Sequence, residues 1–435
     1  MPNLDRVLLL ILVTILVTVT VPIKAGAAIP LDNNSMSCPA PQAKAALLMD
    51  ASSGRVLFEK NGQERLPPAS VTKIMTALLV VETGDLDQSI IISEHAAQTP
   101  ECTIYLQSGE NLMRRTLLYA CMLNSANDAA TALAESVAGS EEAFVELMNR
   151  RAMQMGMVNT HFCNPHGLED PQHYTTAYDL ALATREALTY PEFRQVVSTR
   201  YKVIPWAHHQ DRYLVNQNRL LYRYSGAIGV KTGYTRQAGN CVVSAAERNG
   251  MTLIAIALNS PTVYEDLGQM LDYGFNHYQM NSVEVDELLQ SLPVLKGTAE
   301  TVMAGPVANM QVALTAAEKP DLQVEVIPFA DLSAPIEAGD IVGVIQLRLH
   351  DNLIAQSDLL AMDSIAALPS RFQSLRTAWR QFIIVLARWH LYNLLVLLAL
   401  GYYAYSKKGV RIPPRVYRRP ALLLRSLLIK LNLFE

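Results

Sequence analysis

The sequence predicts an α+β chain: an antiparallel sheet covered by an inserted helical lobe, then a smaller β-rich domain and a C-terminal membrane helix. Three observations predict it. Strand-like apolar runs at 45–59 and between 227 and 258 flank a middle stretch whose apolar spacing is helical. From 282 to 363, Val, Ile and Leu alternate with polar residues between turns. Residues 389–405 are mostly apolar and are followed by clustered Lys and Arg.

The first sheet elements lie in 45–59, which reads as two short strands around a Ser52-Ser53-Gly54 turn. Leu66-Pro67-Pro68 breaks the chain, and 71–81 is long and apolar enough for a helix, so Ser70 lies at a helix N-terminus. Helices follow at 116–123, 126–137, 141–155 and 176–188. The first two are separated by Asn124-Ser125, and Gly156 ends the third. Strands are expected at 227–231, 241–246 and 251–258, the last two joined at the hairpin signal Asn249-Gly250. A helix at 264–278 closes a first domain spanning 40–280. The alternating segment gives a second domain at 282–365, with turns at Ala338-Gly339-Asp340 and His350-Asp351-Asn352.

The ends carry export and anchoring signals. Apolar residues 7–23 follow Arg6, and Ala25-Gly26-Ala27 supplies a small-x-small cleavage pattern. Residues 1–27 therefore read as a signal peptide, with an uncleaved signal anchor as the alternative; either exports the downstream chain. Over 371–388, Phe372, Leu375, Trp379, Phe382, Ile383 and Leu386 fall at helical spacing with Arg371, Arg376 and Arg380 between them. That pattern suits a basic amphipathic helix on a membrane surface. A helix over 389–405 would be about 25 Å long, close to a hydrocarbon core of ~30 Å. A buried or interfacial helix competes with the spanning one. Residues 406–435 carry eight Lys/Arg against one acid, as a cytoplasmic tail does. Within that tail, 421–434 reads as a further amphipathic stretch.

Composition limits the function classes. Of 435 residues, 50% are hydrophobic and 17% charged, which excludes a disordered chain and gives ample core for two domains. The apolar excess sits at the two ends, which argues against a polytopic membrane protein. Net charge is -4, so there is no overall basic footprint for nucleic acid. The five cysteines (38, 102, 121, 163 and 241) include no CxxC pair, and the nine histidines include no HExxH. Small buried thiols are the expected state, with a single disulfide as the alternative, and no metal site is signalled.

Three short stretches carry chemistry. Ser70 and Lys73 are three residues apart, hence neighbours on one helix face. A serine hydroxyl becomes a nucleophile when a base takes its proton, and a lysine is that base once burial or a second cation lowers its pKa. Ser125 and Asn127 sit at a helix junction, where a hydroxyl and an amide can enter one cleft. Lys231 closes a strand and adds a positive charge able to depress Lys73; Thr232 offers a hydroxyl, and Gly233 admits a substrate backbone. Each stretch alone has a plain structural explanation: a capping serine with a solvated lysine, an N-cap serine, an edge-strand lysine.

In this order, on helix, junction and strand, the three resemble the SxxK, SDN and KTG signature of class A β-lactamases and penicillin-binding proteins. The middle motif here is Ser125-Ala126-Asn127. Finer matches pick a subfamily: the segment Asp50 to Lys60 running into Pro67-Pro68-Ala69-Ser70, then Asn164-Pro165-His166-Gly167-Leu168, His173-Tyr174 and Ala177-Tyr178-Asp179. Asn216-Gln217-Asn218, and the segment Gly229 to Thr235 with Ala238-Gly239, complete the set. Over about residues 43–278 the chain resembles the low-molecular-weight penicillin-binding proteins that are D-alanyl-D-alanine carboxypeptidases, and the β-rich segment after residue 278 resembles their C-terminal domain more loosely. That family often carries an arginine just past the strand that ends here near Leu258. This chain reads Asn259-Ser260-Pro261-Thr262 instead, which leaves Lys231 and Thr232 to meet a substrate carboxylate.

The resemblance implies a β-lactamase/transpeptidase-like fold and a serine-type, penicillin-sensitive carboxypeptidase acting on peptidoglycan stem peptides that end in D-Ala-D-Ala. It implies Ser70 as nucleophile and Lys73 as base. Ser125 and Lys231 would deliver a proton to the leaving D-Ala, and Asn127 would hold a substrate carbonyl. Thr232, Gly233 and Tyr234 would bind substrate, with the Ser70 and Tyr234 N–H groups as oxyanion hole. β-Lactams would acylate Ser70. No metal, organic cofactor or nucleic acid is implied, and the catalytic domain would face outward from the cytoplasmic membrane. A D,D-endopeptidase of cross-links, a β-lactamase using Glu169 or Asp170, and a non-catalytic wall-binding protein are the competing readings.

Overall fold

A computed structural model describes residues 18–19, 38–206, 209–368 and 371–407. The expected signal peptide, apart from the pair Thr18–Val19, and the basic tail beyond residue 407 lie outside the described residues.

In the first domain β1 (Ala45–Asp50) and β2 (Val56–Lys60) form the expected strand pair. The helical lobe follows: α1 (Lys73–Glu82), α2 (Arg114–Leu123), α3 (Asn127–Ala138), α4 (Glu141–Gln154), α5 (Ala177–Ala187) and α6 (Pro191–Ser198). A hairpin the sequence reading lacked, β3 (Tyr201–Ile204) with β4 (Arg212–Val215), precedes β5 (Ala227–Thr235), β6 (Gly239–Arg248), β7 (Met251–Leu258) and α7 (Val263–His277). The sheet order is β2-β1-β7-β6-β5, all antiparallel. The first strand thus lies beside the last, and β5 is an edge.

Layers on both faces explain why β1 is apolar at successive positions. Its residues Ala45, Leu47 and Met49 join the core beneath the helical lobe, while Ala46 and Leu48 pack with Leu267, Met270 and Leu271 of α7. The KTG segment does not close a short strand as expected. β5 continues to Thr235 because Thr232, Gly233 and Tyr234 still pair with Val242, Cys241 and Asn240 of β6.

The second domain is β-rich. Strand β8 (Gln279–Val283) pairs with a later strand, and β9 (Gln290–Pro293) and β10 (Thr301–Pro306) pair with each other. The partner of β8 is β11 (Met310–Leu314). With β12 (Leu322–Pro328), β13 (Ile341–Leu349) and β14 (Asn352–Ala361) the larger sheet runs β12-β13-β14-β10-β9, and Thr18–Val19 pairs on its outer edge. Val302, Val312, Ile345, Leu347 and Leu359 fill its own core. Arg55 ties it to the catalytic domain through Glu318 and the Ala313 carbonyl, and the Ala313 N–H donates to Asp50.

The C-terminal unit is a single helix, α8 (Arg371–Ser406), with the short segment 296–298 bonded to the chain just before it. Two separate helices, 371–388 and 389–405, were expected. No proline interrupts the sequence between them, so the backbone ladder runs through Arg388 and His390. Among the described residues, the helical stretch long and apolar enough to cross a membrane is Thr377–Gly401, with mean hydropathy 1.9.

Candidate active site

Ser70 lies in a 3-10 turn (Ala69–Thr72), and Lys73 is the first residue of α1. The expected helix start at residue 71 is therefore a tighter turn, whose side chains eclipse every third residue. Lys73 Nζ stands 3.1 Å from Ser70 Oγ. It also donates to Asn127 Oδ1 and to the His166 carbonyl, both at 2.7 Å.

The helix junction supplies the second wall. Ser125 occupies left-handed backbone at φ 62°, a conformation uncommon outside glycine and concentrated at functional sites. Asn127 opens α3. Its side-chain amide donates to the Pro100 carbonyl, and its backbone N–H donates to the Cys102 carbonyl at 2.6 Å. Buried Asp128 accepts from the Ile104 and Leu106 N–H groups, so segment 100–106 is pinned along the cleft.

The third wall is β5, which runs against the serine turn. A Cβ at Gly233 would come within 2.8 Å of the Ser70 nitrogen, so only glycine permits this approach. Lys231 is buried, and its ammonium donates to the Thr232 carbonyl. Ser70, Ser125, Thr232, Gly233 and Tyr234 line one cavity of about 860 Å³, while Lys73, Asn127 and Lys231 are buried. Of the eight residues singled out in the sequence, five thus share the cavity. Lys73 and Asn127 reach it by hydrogen bonds, and Lys231 by its charge.

Burial pushes the Lys73 ammonium down to about 8. Burial and then the Lys73 charge push Lys231 down to about 7. Lys231 was expected to depress Lys73; desolvation does this instead, and the repulsion between the pair falls on Lys231.

The sequence reading missed several contributors. The His166 carbonyl is one, since a backbone acceptor has no residue signature. Its segment is held against α1 by Thr76 donating to the Pro165 carbonyl and by Thr72 bonded to His173. Gln217 accepts from Thr232, and exposed Arg219 lines the cavity. Cys102 also lines it and is exposed, as is Cys38, whereas all five thiols were expected buried; none is disulfide-bonded. Glu169, the residue that suggested a β-lactamase, instead accepts from the Gln237 N–H in the β5–β6 turn.

An antiparallel sheet with a helical lobe and an SxxK serine at their junction defines the class of penicillin-binding serine enzymes. A D-alanyl-D-alanine carboxypeptidase family profile matches residues 32–262, and the penicillin-binding protein 5 C-terminal domain profile matches 278–367. The D-alanyl-D-alanine carboxypeptidase DacF of Bacillus subtilis is 34% identical over 344 residues, 77% of this chain and 88% of that protein. The carboxypeptidase DacC of Escherichia coli is 29% identical, covering 76% and 86%. The crystal structure of penicillin-binding protein 5 from Haemophilus influenzae superposes with TM-score 0.63 at 27% identity, covering 76% of this chain and 99% of that one. This chain belongs to the D-alanyl-D-alanine carboxypeptidase family of serine-type peptidases.

Proposed function

We propose that Ser70 removes the terminal D-Ala from peptidoglycan stem peptides through an acyl-enzyme, with Lys73 as its base. The observation that carries this is the set of partners on Lys73. A neutral amine has two N–H bonds and one lone pair. The two acceptors at 2.7 Å, Asn127 Oδ1 and the His166 carbonyl, take the N–H bonds, which leaves the lone pair for the Ser70 hydroxyl proton. The Oγ then attacks the carbonyl carbon of the penultimate D-Ala, which lies along the β5 edge as an added strand. The N–H groups of Ser70 and Tyr234 face the developing oxyanion. As the C–N bond breaks, the proton held by Lys73 passes by way of Ser125 and Lys231 to the departing amine. Thr232 and Lys231 meet the terminal carboxylate. A water that gives its proton to Lys73 hydrolyses the ester and restores Ser70. Penicillins acylate the same oxygen and deacylate slowly.

Helix α8 would hold the domain at the membrane with the cleft outside and the basic tail within, as the clustered Lys and Arg after residue 406 favour. Protease treatment of intact cells should then digest the catalytic domain and spare a tail epitope. The central test compares wild type with Ser70→Ala. Fluorescent penicillin labelling and D-alanine release should both vanish, and persistence of either would move the nucleophile elsewhere.

A further inference from the structure

Hairpin β3–β4 has a face that the catalytic geometry leaves unused. The register pairs Tyr201 with Val215 and Val203 with Tyr213, which puts these four side chains on one side and Lys202, Ile204, Arg212 and Leu214 on the other. On the inner side Ile204 and Leu214 are buried in the core, and Lys202 lies over the Tyr119 ring. The outer four are exposed by 64%, 45%, 44% and 66% in the order named. A hairpin with one face in the core ordinarily carries polar residues on the other. Here every outer position is apolar or aromatic, the signature of a binding surface. Tyr222 adds a third ring, edge-on to Tyr201 at 5.9 Å.

The hairpin is anchored by hydrogen bonds and borders the cleft. Arg212 anchors the hairpin through a two-pronged bond to Glu110 and a third to the Tyr105 carbonyl. Val215 leads directly into Asn216 and Gln217, which line the catalytic cavity, and the Tyr222 hydroxyl donates to the Asn216 carbonyl.

We propose that this face binds the glycan strand bearing the stem peptide, with sugar rings against Tyr201 and Tyr213. The proposal rests on the reading that the cleft takes peptidoglycan. A pyranose presents an apolar C–H face and a hydroxyl rim; tyrosine presents an apolar ring with a polar tip and matches both. An anionic lipid surface would call for cations among the apolar groups. Neither nearby cation lies among the four outer side chains: Lys202 sits over Tyr119 on the inner face, and Arg200 is engaged on the Tyr222 ring at the margin of the face. Reach agrees, because an extended five-residue peptide spans about 17 Å. A glycan whose peptide ends at Ser70 must pass within that distance of the cleft, and the hairpin begins at its margin.

The test uses the full-length chain in detergent micelles and the double variant Tyr201→Ser/Tyr213→Ser. Retention on sedimented insoluble peptidoglycan, and kcat/KM for D-alanine release from that polymer, should each fall about tenfold, as the loss of two aromatic contacts implies. Release from a free synthetic pentapeptide and penicillin acylation should not change. Unaltered retention, an equal fall on peptide and polymer, or loss of retention only together with a dimer or with liposome binding would overturn the proposal. Independently of any variant, peptide-free glycan chains should compete wild type off the polymer; failure to compete would also overturn it. Wild type that ignores the free pentapeptide would instead sink the carboxypeptidase reading and leave glycan competition to be judged separately.

Discussion

Lys73 Nζ meets Ser70 Oγ at 3.1 Å while its other two contacts are carbonyl oxygens, Asn127 Oδ1 and His166 O. On the proposed mechanism this arrangement holds the proton acceptor in fixed aim from the first turn of a helix. It also ties the chemistry to the protonation of one buried amine.

Acylation by penicillin should therefore depend on pH through Lys73. Burial places its pKa at about 8, below the ordinary lysine value, and only the neutral form accepts the serine proton. The neutral fraction rises about tenfold per pH unit well below the pKa and levels off above it. The second-order acylation rate should climb from pH 6 to 8 and flatten near 9. Stopped-flow quenching checks this, and a rate that falls over the same interval would remove Lys73 as the base.

Asn127→Ala should slow acylation roughly 10²-fold, the scale of losing an aligned general base. The side-chain oxygen that takes one Lys73 N–H disappears, and the lone pair is no longer directed at Ser70. Thermal stability should change far less than the rate. A matched drop in melting temperature and activity would mean that the residue only holds segment 100–106, to which its amide also bonds.

Gly167→Ala tests how the serine turn is buttressed. Gly167 has φ 88°, and a Cβ there would lie 1.9 Å from the Ala69 carbonyl oxygen, next to the nucleophile. Left-handed strain costs about 1 kcal/mol or more, and backbone contact adds to it. We expect a lowered melting temperature together with weak penicillin labelling. A variant with wild-type labelling would show that the 164–168 segment moves freely without disturbing Ser70.

Each feature is legible in the sequence to the degree that it is over-determined. β7 is apolar at every position but Thr252 because layers cover both its faces, so its bounds at 251–258 can be read directly. Ser70, Lys73, Ser125 and Lys231 are legible because their three motifs, taken together and in order, resemble a family signature; spacing alone links only Ser70 to Lys73. Hairpin β3–β4 is not: in YKVI and RYLV both faces carry apolar residues, which erases the period-2 pattern. Helix α8 reads as two because charge texture changes near Arg388, yet hydrogen-bond continuity ignores side-chain charge. The His166 carbonyl leaves no trace at all, since every residue has one.

Arg212 joins the hairpin to the 105–110 segment, and its removal should be felt across the cleft margin. Its side chain is 6% exposed and that of Glu110 13%, with bonds of 2.6 and 2.9 Å between them. Glu110 is only partly buried, so deleting Arg212 costs about 1–3 kcal/mol, because the carboxylate is left without its bond. Arg212→Ala should lower the denaturation midpoint accordingly, and Arg212→Lys should recover only part. The acid dependence has a definite sign. Burial is the largest influence and works to raise the Glu110 pKa, but the Arg212 bond, the Gln107 N–H bond and the Arg212 charge together outweigh it and hold the carboxyl below its ordinary value. Its stabilisation is therefore complete above the unfolded carboxyl range near pH 4.5 and is lost as pH falls through the lower folded value. Wild type should lose stability on acidification below about pH 4.5 more steeply than Arg212→Ala. Parallel acid curves would show that the pair contributes no coupling.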